Sequence, residues 1–238
     1  MNLDLDLDQR RLVDAVRDGR TETAGCGWAV LRAAGVVDAL DRGGLVGWCL
    51  ALEELGAGCH DIAAVRAAYA YREAHPGTPP EDTVTAPAPP VATADHDVLL
   101  CAAYAVGVGR QCLEVAQGRA ADRVIAGRRQ IEFQGSAHRL AEAALDLVLA
   151  RIAVWHAAWY EDRGRPEHHA AAAAAAASVA AALDCAHTLV QAFGAAGTSD
   201  PDVVRLYRAA YALPRLCGSP RSLWRTAGER WLAAAAVS

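Results

Sequence analysis

Between His75 and Asp97 the chain reads HPGTPPEDTVTAPAPPVATADHD, and six of the protein's ten prolines fall there. Proline removes a backbone donor and fixes φ, so neither a buried helix nor a central strand runs through such a segment. Large apolar side chains are almost absent from it as well. The composition predicts an extended linker over residues 76–95. It divides the chain into a small N-terminal unit, residues 1–75, and a longer C-terminal unit, residues 96–238.

Both units read as helical. Upstream, Asp8 to Asp18 puts Leu12, Val13 and Val16 on one helical face. Further helices are predicted over residues 27–41, over 45–58 with Gly56 and Gly58 as stops, and over 60–75. The last has an N-cap in Asp61 or His60 and ends before Pro76. Downstream the apolar period predicts helices over residues 96–123, 131–162, 167–193, 201–215 and 219–236, with turns at DRGRPE and FGAAGTSDPD. No segment reads as a strand. Hydrophobic residues make up 53% and aromatics only 6%, so the core is built from Ala, Leu and Val, which favours closely packed helices. The tract Ala170 to Ala177 reads as a close-contact helix face or as simple drift. The expected fold class is all-α: an N-terminal helical unit and a C-terminal antiparallel four-helix bundle, with no β domain.

A net charge of -5 argues against nucleic acid as a partner. Every fixed positive charge is an arginine. The acidic N-terminus, MNLDLDLDQRR, has no apolar run and does not read as a secretory signal. Alanine is too weakly apolar to make a convincing bilayer span of its tract, so no membrane partner is expected. Seven cysteines without a C-x-x-C suit reduced thiols in a cytoplasm and give no zinc pattern. Glu167 sits beside His168, the wrong spacing for the Glu-x-x-His pairs of a di-iron bundle. His138 reads as a packed bundle histidine, the pair His168–His169 as a solvated helix start, and the six tryptophans as bulk that alanine cannot supply.

The stretch RVIAGRRQIEFQGSAHRLAE, Arg123 to Glu142, is harder to place, because Gly127 would cost a helix about 1 kcal/mol. It resembles a pattern of the acyl-CoA dehydrogenase family, R-x-Q-F-G-x-x-I-x-x-F-Q-x-x-x-H-x-L-A. The carriers are Arg123, Ala126, Gly127, Ile131 (shifted by one), Phe133, Gln134, His138, Leu140 and Ala141. A second family pattern, Q-x-x-G-G-x-G followed by an arginine, resembles QAFGAAGTSDPDVVRLYRAA through Gln191, Gly194, Gly197 and Arg208. DLDQRRLVDAVRD, LALEELG and CAAYAVGVGRQCLEVA are similar to other family helices in the same order.

The resemblance implies a shortened member. In the family a β-barrel domain stands between the helical units and makes much of the flavin and acyl-thioester pocket. About 20 linker residues cannot fold into a barrel. The family's catalytic Glu has no counterpart in RLCGSPRSLWR, where Cys217 takes its place between Arg215 and Arg221. A thiol is a poor base unless its pKa falls, and a buried structural thiol is the competing reading. Asp97 aligns with the alternative base position that some members use on the first bundle helix; Asp95 or Asp97 equally suits a helix cap. Arg123, Gln134, Gln191, Gly194 and Gly197 form the implied cofactor-binding set, since the family's counterparts of Arg123 and Gln191 reach across the dimer interface to the neighbouring subunit's flavin. Ala126 and Ala195 depart from that pattern.

The implied function is a degenerate subunit in acyl-thioester metabolism, partnering a full-length flavin-dependent acyl-CoA dehydrogenase. It would bind no FAD alone and share FAD with that partner. The alternative is a standalone non-redox enzyme, a dehydratase, isomerase or cyclase, acting on an acyl thioester or polyketide-like substrate. A homo- or hetero-oligomer and an acyl-CoA or acyl-carrier-protein substrate fit either reading.

Overall fold

A computed structural model describes residues 5–22, 30–31, 43–59, 95–165, 167 and 169–236. They carry the helices α1 (Leu7–Glu22), α2 (Gly44–Ala57), α3 (Asp95–Asp122), α4 (Gln134–Asp162), α5 (Ala170–Phe193), α6 (Pro201–Cys217) and α7 (Pro220–Ala235). The helix expected over 60–75 lies outside the described residues, as does the linker except for Asp95. Of the helix expected over 27–41, only Val30 and Leu31 are described; both are helical and buried.

Local chemistry explains the bundle's boundaries. Asp200 Oδ1 accepts from the backbone N–H of Asp202 (3.0 Å) and Val203 (3.2 Å), and Pro201 opens α6. Ser219 Oγ accepts from Ser222 N–H at 3.2 Å, and Pro220 opens α7. Both are N-cap residues followed by proline at the first helical position. The start of α4 is later than the period suggests, at Gln134 rather than 131. Residues Gln130–Glu132 form a 3-10 turn and Phe133 is extended.

α3 and α5 form the centre. α3 is buried without a break from Val98 to Gly109, because α2, α4, α5 and α6 all pack on it. In the alanine tract, Ala171, Ala172, Ala174, Ala175 and Ala176 are buried, so a small-residue face lets helices approach closely. α3 and the Ala170–Thr198 segment are long and apolar enough to cross a bilayer, yet most of each window is buried inside the bundle.

α2 and α3 touch backbone to backbone. A Cβ on Gly107 would lie 1.9 Å from the Glu53 carbonyl oxygen, and one on Gly56 2.1 Å from that of Tyr104. Gly56 therefore does not stop its helix, as its position suggests; it is a contact point, and the helix runs on to Ala57.

The expectation of no strand is corrected by a two-residue hairpin. Val124–Ile125 (β1) pairs antiparallel with Arg128–Arg129 (β2) in the register Val124↔Arg129, Ile125↔Arg128. Its turn residues, Ala126 and Gly127, have φ of +50° and +78°, the signs of a type I′ turn. Gly127 is at ease there and Ala126 is not. Ala126→Asn, the residue such turns favour, is expected to raise stability by about 1 kcal/mol. A thermal melt checks this, and an unchanged or lower midpoint would show that Ala126 carries no strain.

The start of α2 is capped by a side chain from another helix. Asp162, the last residue of α4, accepts from Leu45 N–H (2.7 Å) and Val46 N–H (3.1 Å) at the start of α2. Asp162→Ala is expected to cost about 1–2 kcal/mol, read as a shift in the denaturation midpoint.

Candidate functional site

A groove of about 910 Å³ opens between α4, α5 and α6, floored by the 3-10 turn before α4. Gln130, Arg139, His187, Gln191, Tyr207 and Arg208 supply its chemistry. Arg139 is held in place, donating from Nη2 to Asp184 Oδ1 (2.5 Å) and from Nε to Thr188 Oγ1 (3.2 Å). His187 Nε2 and the Tyr211 hydroxyl are hydrogen-bonded at 2.6 Å. Tyr211 stacks on Tyr207 with ring centroids 4.4 Å apart, and a hydrogen bond with Tyr211 pushes the Tyr207 phenol above its usual range.

Of the groove's polar side chains, Arg208, Gln191 and Gln130 are left without partners among the described residues. Arg208 and Gln191 are exposed and make no hydrogen bond or ion pair there. Gln130 is only 8% exposed, and its Oε1 is buried with nothing to bond to. A buried amide left in that state costs about 1–3 kcal/mol.

Of the sequence-derived candidates, Gln191 and Gly197 line this groove together with Arg208. A Cβ on Gly197 would press on Phe193 Cβ at 3.1 Å, so the glycine lets the segment after α5 fold back tightly. Arg123 lies beside the groove wall. Its Nη1 donates to the carbonyls of Ala192 (3.1 Å) and Phe193 (3.4 Å), the last residues of α5. A cation suits a helix C-terminus, where carbonyls lack intrahelical donors. Gly194 turns the chain there with φ +61°, and a Cβ on it would sit 3.6 Å from Arg123 Nη1. Gln134 is exposed on the first turn of α4 and does not line the groove.

Asp97 and Cys217 lie elsewhere. Asp97 is half-buried in the first turn of α3, next to Asp95, whose Oδ1 accepts from Arg230 Nη1 of α7 at 2.5 Å. Ala120, further along the same helix, lines the groove, and the rise of a helix puts the two roughly 34 Å apart. Cys217 closes α6 and is buried in the core at 1% exposure.

His138, expected to be packed, is exposed, because it falls on the solvent face of α4. Trp48 is fully buried, whereas Trp224 and Trp231 are 53% and 56% exposed, so the tryptophans only partly serve as core bulk. Burial pushes the Cys185 thiol up to about 12, and Cys49 and Cys112 rise for the same reason. These thiols stay protonated. No cluster of His, Cys, Asp or Glu suited to a metal ion occurs among the described residues.

Residues 91–232 match the family model for the acyl-CoA dehydrogenase C-terminal domain, more than half of the chain. A probable acyl-CoA dehydrogenase FadE25 of Mycobacterium tuberculosis is 34% identical over 122 residues, covering 50% of this chain and 31% of that protein. Among solved structures, glutaryl-coenzyme A dehydrogenase in its glutaryl-CoA complex is similar at TM-score 0.56 and 28% identity, over 58% of this chain and 36% of that one. A steroid ACAD variant described as Tcur3481–Tcur3483 shares the fold at TM-score 0.77 and 16% identity, over 97% of this chain and 99% of that one. The chain spans at most about a third of the length of the curated relatives it matches. With its helix order and bundle, this match makes the chain a member of the acyl-CoA dehydrogenase family, built on that family's C-terminal helical domain.

Proposed function

We propose that this chain is an acyl-CoA dehydrogenase-like subunit of acyl-thioester metabolism, which pairs with a full-length flavin-dependent acyl-CoA dehydrogenase and walls the partner's FAD. The observation that carries this reading is the groove in which Gln191, Gly197 and Arg208 meet, with a guanidinium and an amide left unpaired. That donor set fits a diphosphate ester. Arginine offers two parallel charge-assisted bonds to phosphate oxygens, and an amide adds a neutral one. Arg123 commits one nitrogen to the α5 carbonyls, so what it offers a ligand is its Nε and Nη2 edge.

Bound flavin supplies the two-electron acceptor of the family's chemistry. The groove's residues bind and orient, and neither Asp97 nor Cys217 reaches them, so on this reading the proton-abstracting base belongs to the partner. The paired proteins in the name of the steroid ACAD neighbour support a two-subunit arrangement. So does exposed apolar surface: Leu145, Val148 and Leu149 on α4, and Trp224, Trp231 and Leu232 on α7, are each more than half exposed. A mixed oligomer covers such faces.

Co-expression with a full-length dehydrogenase tests the reading. The complex is expected to retain flavin, and the purified chain alone none in stoichiometric amount, read by flavin absorbance. Arg208 supports nothing in the described fold, so Arg208→Gln should melt like wild type yet lower flavin retention about tenfold. A chain that holds one flavin alone, or an Arg208→Gln complex that retains flavin like wild type, overturns it. The second reading, a standalone non-redox enzyme on an acyl thioester or polyketide-like substrate, is favoured by the His187–Tyr211 pair, an acid–base couple at an open groove. Turnover by the chain without flavin would select it.

A further inference from the structure

Along its outer side α4 changes character. Leu145, Val148 and Leu149 are aliphatic and more than half exposed. Two turns on, Trp155, His156, Trp159 and Tyr160 put four rings within six residues, each of them half-buried. The helix turns its buried face the other way, through Leu147, Ala150, Val154 and Ala157, so the core leaves part of each ring uncovered. The rings are held as one surface. Trp159 meets Tyr160 edge to face with centroids 5.0 Å apart, and His156 lies 4.7 Å from Tyr160. The Arg151 guanidinium stands 4.3 Å from the centre of the Trp155 ring and that of Arg163 4.1 Å from Trp159. Glu53 fixes Arg151 in turn, at 2.9 Å. Rings and arginines held in place offer large contact area at little cost in entropy, the make-up of a binding surface.

The sequence carries a segment of matching chemistry. Residues 87–90 read PAPP, a P-x-x-P element. Segments of this kind favour polyproline II, in which prolines three apart share an edge at a repeat of about 9 Å. They dock on aromatic-lined surfaces, where rings receive the prolines of that edge. Trp155 and Tyr160 are offset by about 7.5 Å along α4, close to the repeat. The point at which α3 begins brings the two together. His96 Nε2 lies 3.4 Å from Glu161 Oε2, next along the chain from Tyr160. Pro90 is five residues before Asp95, the first residue of α3, a reach of about 15 Å at 3.1 Å per residue. Such a tether keeps the prolines near the rings at roughly millimolar effective concentration, far above that of a free partner. We propose that the aromatic face of α4 is the docking site of the chain's own segment Pro87–Pro90, which lays its prolines on Trp155, Trp159 and Tyr160. The segment then acts as a spacer of set length between the two helical units. The docking is independent of what the groove binds, and it leaves Leu145, Val148 and Leu149 open to a partner subunit.

The test uses the full chain labelled with 5-fluorotryptophan, whose six tryptophans give six fluorine resonances. Trp155→Phe and Trp159→Phe assign the two that matter. The triple variant Pro87→Ala, Pro89→Ala, Pro90→Ala changes no described residue. It should shift the Trp155 and Trp159 signals and about double their broadening by a soluble gadolinium chelate, as uncovered rings require. The other four signals should stay where they are. From the segment's side, Trp159→Gln should speed elastase cleavage between residues 83 and 94 about tenfold, since a segment held to the fold is cut only when it opens. Circular dichroism checks that the bundle stays folded. Trp155 and Trp159 signals that ignore the proline replacements overturn the proposal, and signals that move on dilution instead give the face to a second copy. Cleavage of Trp159→Gln at the wild-type rate overturns it as well.

Discussion

Gly107→Ala is expected to destabilise the fold by at least about 3 kcal/mol, the upper end of what overpacking usually costs. In a chain of this size that lowers the melting midpoint by roughly 6–12 °C. The added Cβ would meet the Glu53 carbonyl oxygen at 1.9 Å and the Ala57 nitrogen at 2.8 Å. Both are backbone atoms of a buried helix, so no side-chain rotation relieves the clash. α2 and α3 would have to separate along their whole crossing, and Gly56 against the Tyr104 carbonyl at 2.1 Å makes the same demand from the other side. Gly118 is the internal control. It lies in the same α3 with nothing within 4 Å of its would-be Cβ, so Gly118→Ala should raise stability by up to about 1 kcal/mol through helix propensity alone. Thermal melts of the two variants are expected to move in opposite directions. A Gly107→Ala protein melting within two degrees of wild type would show that the crossing adapts.

The same glycine shows where reading a sequence stops. In order along the chain, Gly56 resembles a helix stop; its reason for being glycine lies some fifty residues away, at the backbone of Tyr104 and Val108. Boundaries set by neighbouring residues are legible to within a residue, as for the helices expected from 201 and 219, where the structure shows Asp200 and Ser219 as caps beside Pro201 and Pro220. The hairpin was not, because its turn carries Ala126 where Asn would advertise a type I′ geometry. Gln191, Gly197 and Arg208 could be picked out because they fall within one short stretch that resembles a family pattern. Gln130 and Arg139 lie in the other quoted stretch and Tyr207 beside Arg208, but none of them carries either pattern, and only the packing of α4, α5 and α6 puts them in one groove with His187. No spacing along the chain announces such a convergence. His138, with no ligand partner at a suitable spacing, reads as a packed histidine, yet it lies on the solvent face of α4.

Arg110→Met is expected to cost about 3 kcal/mol at neutral pH, and distinctly less at pH 5. Two consecutive glutamates of α2, with side chains 3% and 2% exposed, gather arginines from three other helices. Arg151 of α4 donates from Nε to Glu53 Oε2 at 2.9 Å, and Arg17 of α1 from Nη2 to Glu54 Oε1 at 3.1 Å. Arg110 of α3 stands between them, 2.9 Å from Glu54 Oε1 and 4.0 Å from Glu53 Oε1. Burial pushes the Glu53 carboxyl up, against the pull of Arg151 and Arg110. Burial also raises Glu54, but hydrogen bonds and charge from Arg110 and Arg17 outweigh it and hold that carboxyl below its usual range. Glu54 therefore adds stability above its unfolded pKa of about 4.3, and the gain is lost as pH falls through its folded value. Glu53 has the opposite sign: its cost grows as pH rises from the unfolded value to the raised folded one. Removing Arg110 strips each carboxylate of one cation while leaving both buried, the situation that makes a broken ion pair expensive. Arg17 and Arg151 remain, which keeps the loss near the low end. In the variant both folded pKa values climb, so acid supplies the missing neutralisation and the gap to wild type narrows. Denaturant midpoints at pH 7.5 and pH 5 measure it. Equal gaps at both values would show that Arg110 acts through the packing of its aliphatic stem and not through its charge.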